Sequence, residues 1–181
     1  MKLFMWNVRG LGNTRSFQAL QNLLHEHSPD LIFLMENYSD QVQMEFLWFR
    51  LGFVGKLVIN RVGRSGGMCL LWSNRVDVSL ITYSKFHIDV QICSHRGCNW
   101  RFTGFYGNPD SSQQVHCWSL LKRLRSFSSL PWLCGGDFNN FLDDSEKLGG
   151  LLKPQYLINN FREVVEFCGF QDLGYSSSIF T

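Results

Sequence analysis

The sequence predicts an α/β (α+β) domain of two sheets with helices outside. Three observations carry this. Short, almost wholly apolar runs alternate with helical patterns at the N-terminus. Several strand-like segments then follow one another, which suggests sheet stacked on sheet. Helical and apolar runs alternate again toward the C-terminus.

Each element has its own signal. "KLFMWNV" (2–8) and "LIFLME" (31–36) are apolar throughout, as strands buried on both faces are. Between them Phe17, Leu20, Leu23 and Leu24 recur at helical spacing, and Pro29 ends the pattern. "SDQVQMEFLWFRLG" (39–52) predicts a helix with Ser39 as N-cap and Gly52 beyond its end. "KLVINRVGRSGGMCLLWS" predicts two strands around a turn containing Gly and Arg. "VDVSLITYS", "HIDVQICS" and "WRFTGFYG" follow as strands, the last two joined by the polar turn "HRGCN". Residues 111–129 predict a helix, "PWLCGG" a further buried strand, and "KPQYLINNFREVVEFCG" a helix stopped by Gly169. "FQDLGYSSSIFT" leads toward one more strand. No repeat or linker-like stretch divides the chain, so residues 1–181 are expected to form a single domain.

Of 181 residues, 45% are hydrophobic and 18% charged, which excludes a disordered chain. The net charge of +2 does not by itself point to nucleic acid. Cys69, Cys93, Cys98, Cys117, Cys134 and Cys168 lack CxxC spacing and lie in or beside apolar runs, so buried free thiols in a reducing compartment are expected. The N-terminus lacks the pattern of a cleaved signal peptide, and no apolar run is long enough to span a membrane. The chain is expected to be intracellular, without a membrane partner.

Four of the apolar strands end on polar residues: Asn7, Glu36, Tyr106 (followed by Gly107 and Asn108), and Asp137 with Asn139. If these ends point the same way, the residues converge at one rim, where sites are commonly built. Glu36 and Asp137 offer hard oxygen for Mg²⁺ or Mn²⁺. Asn7 and Asn139 orient a phosphate or a water without adding negative charge, and Tyr106 hydrogen-bonds a phosphoryl oxygen. Taken singly, each has a plainer explanation as a turn, surface or core residue. Arg9, Arg15, Arg61 and Arg64, in loops near strand ends or a hairpin tip, and Asn108 are candidate substrate contacts. Ordinary solvated charge explains the arginines equally well. The tryptophans at 48, 72, 100, 118 and 132 are expected in the core.

"WNVRGLG", "DLIFLMEN", "SGGMCLLW", "RFTGFYGNP", "WLCGGDFNNFL" and "EKLGG" occur in this order. Together they closely resemble the endonuclease domain of plant LINE-type (non-LTR) retrotransposons. That domain belongs to the endonuclease/exonuclease/phosphatase superfamily, with apurinic-site endonucleases, deoxyribonuclease I and inositol polyphosphate phosphatases. The resemblance spans essentially the whole chain. It implies a four-layer α/β/β/α sandwich of two packed mixed sheets, DNase I-like, and hydrolysis of phosphodiesters with Mg²⁺ (or Mn²⁺). It further implies DNA as partner, a monomer with no obligate protein partner, and a nuclear location. By motif, Glu36 and Asn7 would hold the metal, with Glu36 the principal ligand. Tyr106 would contact the scissile phosphate, Asp137 would orient or deprotonate the attacking water, and Asn139 would hold the phosphate near the transition state.

One motif of that superfamily is missing. No Ser-Asp-His sequence occurs, and the chain stops at "SSSIFT", about where the family continues with its last strands. His25, His27, His87, His95 and His116 lie where surface or structural roles are expected. Loss of a general acid/base typically costs about 10²–10⁴ in rate. The expectation is therefore a C-terminally truncated family member lacking the last strands. Two alternatives stand beside the hydrolase: a catalytically inactive remnant that binds nucleic acid or protein, and a phosphatase of small phosphorylated molecules.

Overall fold

The computed structural model describes residues 1–10, 14–36, 48–60, 67–94, 97–147, 149 and 153–174. The chain forms two compact units, Met1–Asn108 with Ser129–Asn139, and Pro109–Ser128 with Asn140–Thr181.

The first unit contains two four-stranded sheets. One is built from β1 (Leu3–Asn7), β2 (Leu31–Met35), β3 (Gly55–Ile59) and β4 (Met68–Trp72), in the order β1-β2-β4-β3. Its β1 and β2 are parallel, and the other pairs are antiparallel. The other sheet runs β5 (Val76–Ser84), β6 (His87–Ser94), β7 (Asn99–Tyr106), β8 (Trp132–Asp137), with only β7 and β8 parallel. Both sheets are thus mixed, and they pack on each other as the fold class requires.

The alternation of side chains along β2 shows why its sequence is apolar throughout. Leu31, Phe33 and Met35 enter a core shared with Ile88, Val90, Ile92, Phe102 and Tyr106 of the second sheet. Ile32 and Leu34 point the other way and join Leu20 of α1 (Thr14–His27), with Cys69 and Leu71. All five β2 residues are buried, and each large apolar side chain so buried contributes about 1.5–3 kcal/mol. Phe33 and Phe102 meet edge to face across the sheets at 5.8 Å. Burial pushes the Cys69 thiol up to about 12; none of the six cysteines is in a disulfide, and Cys98 is exposed where a buried thiol was expected.

The other face of the second sheet carries a polar group inside the protein. Arg101 and Asp89, both fully buried, form a two-pronged ion pair, Nε to Oδ1 and a terminal nitrogen to Oδ2, each at 2.8 Å. Thr103 donates to Asp89 Oδ1 at 2.7 Å, and Trp132 Nε1 donates to Thr103 at 2.7 Å. The guanidinium carbon lies 4.4 Å from the centre of the Trp132 ring. Trp132 therefore serves as a hydrogen-bond donor and cation platform rather than as plain core.

Of the helix expected over 39–52, residues 48–51 are helical and Gly52 follows with φ of 72°. The remainder lies outside the described residues, as do the turn carrying Arg61 and Arg64, His95, and the strand expected near residue 181.

The second unit holds α2 (Gln114–Arg125) and α3 (Gln155–Cys168). The helix expected over 111–129 is shorter. Asp110 accepts the Ser112 amide, so the first turn, Ser111–Gln113, is a 3₁₀ turn, and the α-helix ends at Arg125, with Ser126 as its C-cap. Trp118 of α2 and Phe161 of α3 pack with ring centres 4.9 Å apart. Gly169 stops α3 in the left-handed conformation, its amide bonding back to Glu166 and Val165 carbonyls.

Candidate active site

Parallel pairing explains how distant strand ends meet. In a parallel pair both C-terminal ends lie on the same side. The β1–β2 register sets Asn7 beside Met35, one residue before Glu36. The β7–β8 register sets Tyr106 beside Asp137. Packing of the two sheets then brings the two ends together.

The side chains form one hydrogen-bonded group. Asn7 Nδ2 donates to Glu36 Oε1 at 3.1 Å and to Asp137 Oδ2 at 2.9 Å. The Tyr106 hydroxyl donates to Glu36 Oε1 at 2.7 Å. The Asn139 amide donates to Asp137 Oδ1 at 2.8 Å, and its side chain donates to the Gly107 carbonyl at 2.8 Å. All five expected catalytic and metal-site residues are therefore in contact. Tyr106 is 5% exposed, and the other four are partly exposed, open to a ligand.

The backbone is bent to achieve this. Arg9, Glu36 and Asn139 have φ of 44°, 52° and 51°, a region costly for residues with a Cβ. The turns are tied by Val8 to Met35 and by Gly10 to Glu36, amide to carbonyl, at 3.0 and 2.8 Å. Gly136 has φ of 140°, and a Cβ there would lie 2.0 Å from the Phe105 carbonyl oxygen. At Gly107 a Cβ would lie 2.1 Å from the Phe138 carbonyl oxygen. Only glycine fits either close approach.

The charges have clear consequences. Burial first, then the hydrogen bond and charge of Glu36, raise Tyr106 well above the ordinary phenol value of 10.0, so its hydroxyl remains a donor. The arrangement of Asn7 is the one that satisfies both carboxylates, because the flipped amide would aim its oxygen at them. Glu36 offers hard carboxylate oxygen of the kind a divalent cation takes, whereas Asn7 turns its nitrogen toward Glu36 and Asp137. Among the described residues no group of three or more His, Cys, Asp or Glu could hold a metal ion.

The candidate substrate contacts are less connected. Arg9 is exposed on the turn after β1, with its amide 3.4 Å from Asn7 Oδ1. Asn108 is partly exposed next to Gly107. Sequence reasoning missed Met35, whose Sδ accepts the Asp137 amide at 3.1 Å. In the sequence it reads only as a core residue.

The fold and site define a class: a two-sheet α/β protein with carboxylate, amide and phenol groups gathered at strand ends. The chain belongs to the endonuclease/exonuclease/phosphatase family, whose model matches residues 6–175. No curated protein sequence matches it. Among solved structures it is similar to the 3′ phosphatase NExo from Neisseria bound to product DNA hairpin, with a TM-score of 0.65 and 16% identity. That match covers 92% of this chain and 71% of the other. An AP endonuclease from Leishmania major matches with a TM-score of 0.64 and 13% identity, over 91% and 66%. One from Archaeoglobus fulgidus matches with a TM-score of 0.61 and 15% identity, over 91% and 68%. At these identities the likeness is one of fold. Among the described residues no helix is long and apolar enough to cross a membrane.

Proposed function

We propose that the strand-end site hydrolyses phosphodiesters with a divalent cation, Mg²⁺ or Mn²⁺, and that DNA is its substrate. The observation carrying this reading is the single hydrogen-bonded group of Asn7, Glu36, Tyr106, Asp137 and Asn139. Family nucleases generally use divalent metals, and Glu36 with Asn7 would hold one here. The bound cation would supply charge stabilisation at the phosphoryl oxygens.

The chain's own residues do the rest. Asp137 is held at both carboxylate oxygens, by Asn7 and by the Asn139 amide. It is therefore oriented before substrate arrives, and it accepts the proton of the attacking water. Tyr106, kept protonated, and Asn139 donate to the phosphoryl oxygens as charge builds there. Asn108 and the arginines at 9, 61 and 64 would meet the nucleic-acid backbone. The ordered motifs from "WNVRGLG" to "EKLGG" support descent from a plant LINE-type retroelement endonuclease.

The test is nicking of supercoiled plasmid by the purified chain. The expected result is open-circular product that requires Mg²⁺, disappears with chelator and falls about 10²–10³-fold in Asp137→Ala. Nicking no faster than that variant overturns the reading. A second reading is a domain that binds nucleic acid without cleaving it. DNA binding that survives Asp137→Ala, with no cleavage by either protein, would select it.

A further inference from the structure

We propose that Met35 is a positioning residue that fixes Asp137 through its thioether, an inference that rests on the hydrolase reading of the site. Met35 ends β2 and is 3% exposed. Three different atoms tie it to three parts of the site. Its peptide leads directly into Glu36, which occupies the left-handed region. Its carbonyl accepts the Val8 amide at 3.0 Å, fixing the turn after Asn7. Its Sδ accepts the Asp137 amide at 3.1 Å.

The third contact is the unusual one. β8 pairs with β7 alone among the described strands, and the register of that pair keeps Asp137 in the ladder, while the Met35 sulfur reaches the same amide from the opposite sheet. A thioether is a weak acceptor on a flexible stem that adapts to irregular space. Gly136 makes room for it: a Cβ there would sit 3.1 Å from the sulfur. The contact joins the strand end bearing Glu36 to the one bearing Asp137, and so sets the spacing of the two carboxylates. A leucine at 35 would fill a similar volume and offer no acceptor. Small displacement of a catalytic group is enough to cost up to about a hundredfold in rate.

The experiment uses the full chain, natural and as Met35→Leu, with a selenomethionine-grown protein that keeps a large, polarisable acceptor. Nicking of supercoiled plasmid in Mg²⁺ is read as kcat and KM, and exchange of the Asp137 amide proton is followed by NMR. In the natural protein that amide should be protected. In Met35→Leu its exchange should speed at least tenfold and kcat should fall about ten- to a hundredfold, with KM little changed and urea unfolding still cooperative. Selenomethionine should preserve both protection and kcat. An unprotected Asp137 amide in the natural protein overturns the proposal, even if Met35→Leu fails to fold. So does an unchanged kcat or unchanged exchange in a folded Met35→Leu. Absence of nicking by the natural protein, with the amide protected and exposed again in Met35→Leu, sinks the hydrolase reading while leaving the Met35–Asp137 bond established.

Discussion

The side chain of Asn7 reaches that of Asp137, Nδ2 to Oδ2 at 2.9 Å, across 130 positions of sequence. The same nitrogen serves Glu36 at 3.1 Å, so one amide holds two carboxylates in register. Asn7→Ala removes both donors and a potential cation ligand together. Nicking should fall about 10²-fold, and the Mg²⁺ concentration giving half-maximal rate should rise. Both are read from one series of rates against Mg²⁺.

Tyr106→Phe removes only the hydroxyl that donates to Glu36 at 2.7 Å. The ring stays in the core between the sheets, so the urea midpoint should change little. If the site works as proposed, the rate should fall about tenfold or more. A large loss of stability with no specific loss of rate would place Tyr106 in the core alone.

The buried Arg101–Asp89 pair predicts an asymmetric response. Arg101→Met leaves a carboxylate buried without its ion-pair partner and should cost about 3–5 kcal/mol in urea unfolding. Replacing both, as Arg101→Met with Asp89→Leu, should recover much of that loss, because no isolated charge remains. A double variant as unstable as the sum of the singles would count against this account.

Asp143 predicts an acid effect. It caps the 3₁₀ turn Asp144–Glu146 within a capping box. Bonds from the Ser145 amide and hydroxyl, and then Arg162, hold its carboxyl below the ordinary value of 3.8. A depressed value means that folding favours the ionised form. The stabilisation is therefore present above about pH 4 and is lost as pH falls below it. Asp143→Asn should make unfolding less pH-dependent below pH 4, measured by thermal melts at pH 3 and pH 6.

The strands were legible because their apolar runs are compact and their turns marked. The fold class followed because strands run in succession. The grouping of Asn7, Glu36, Tyr106 and Asp137 was legible because each stands where an apolar run stops. What periodicity could not reveal depends on contacts between sheets. Asp89 and Arg101 alternate with apolar neighbours and so imitate a solvent-facing strand edge, yet both are fully buried. Met35 counts only as apolar until the packing of the sheets puts its sulfur on the Asp137 amide. The left-handed backbone at Glu36 is equally silent, since nothing in "LMEN" signals it. The helix at 111–129 was overextended because Asp110 diverts the first turn through its side chain.

The division of the site between two sheets bears on how the molecule is made. One sheet carries Asn7 and Glu36, and the other carries Tyr106 and Asp137. During synthesis the first sheet can form while β8 has yet to be added to the chain. At that stage no second carboxylate exists to face Glu36. The grouping of these four side chains therefore waits for the last of these strands to pair and for the sheets to close on each other, so an unfinished chain carries only half of it.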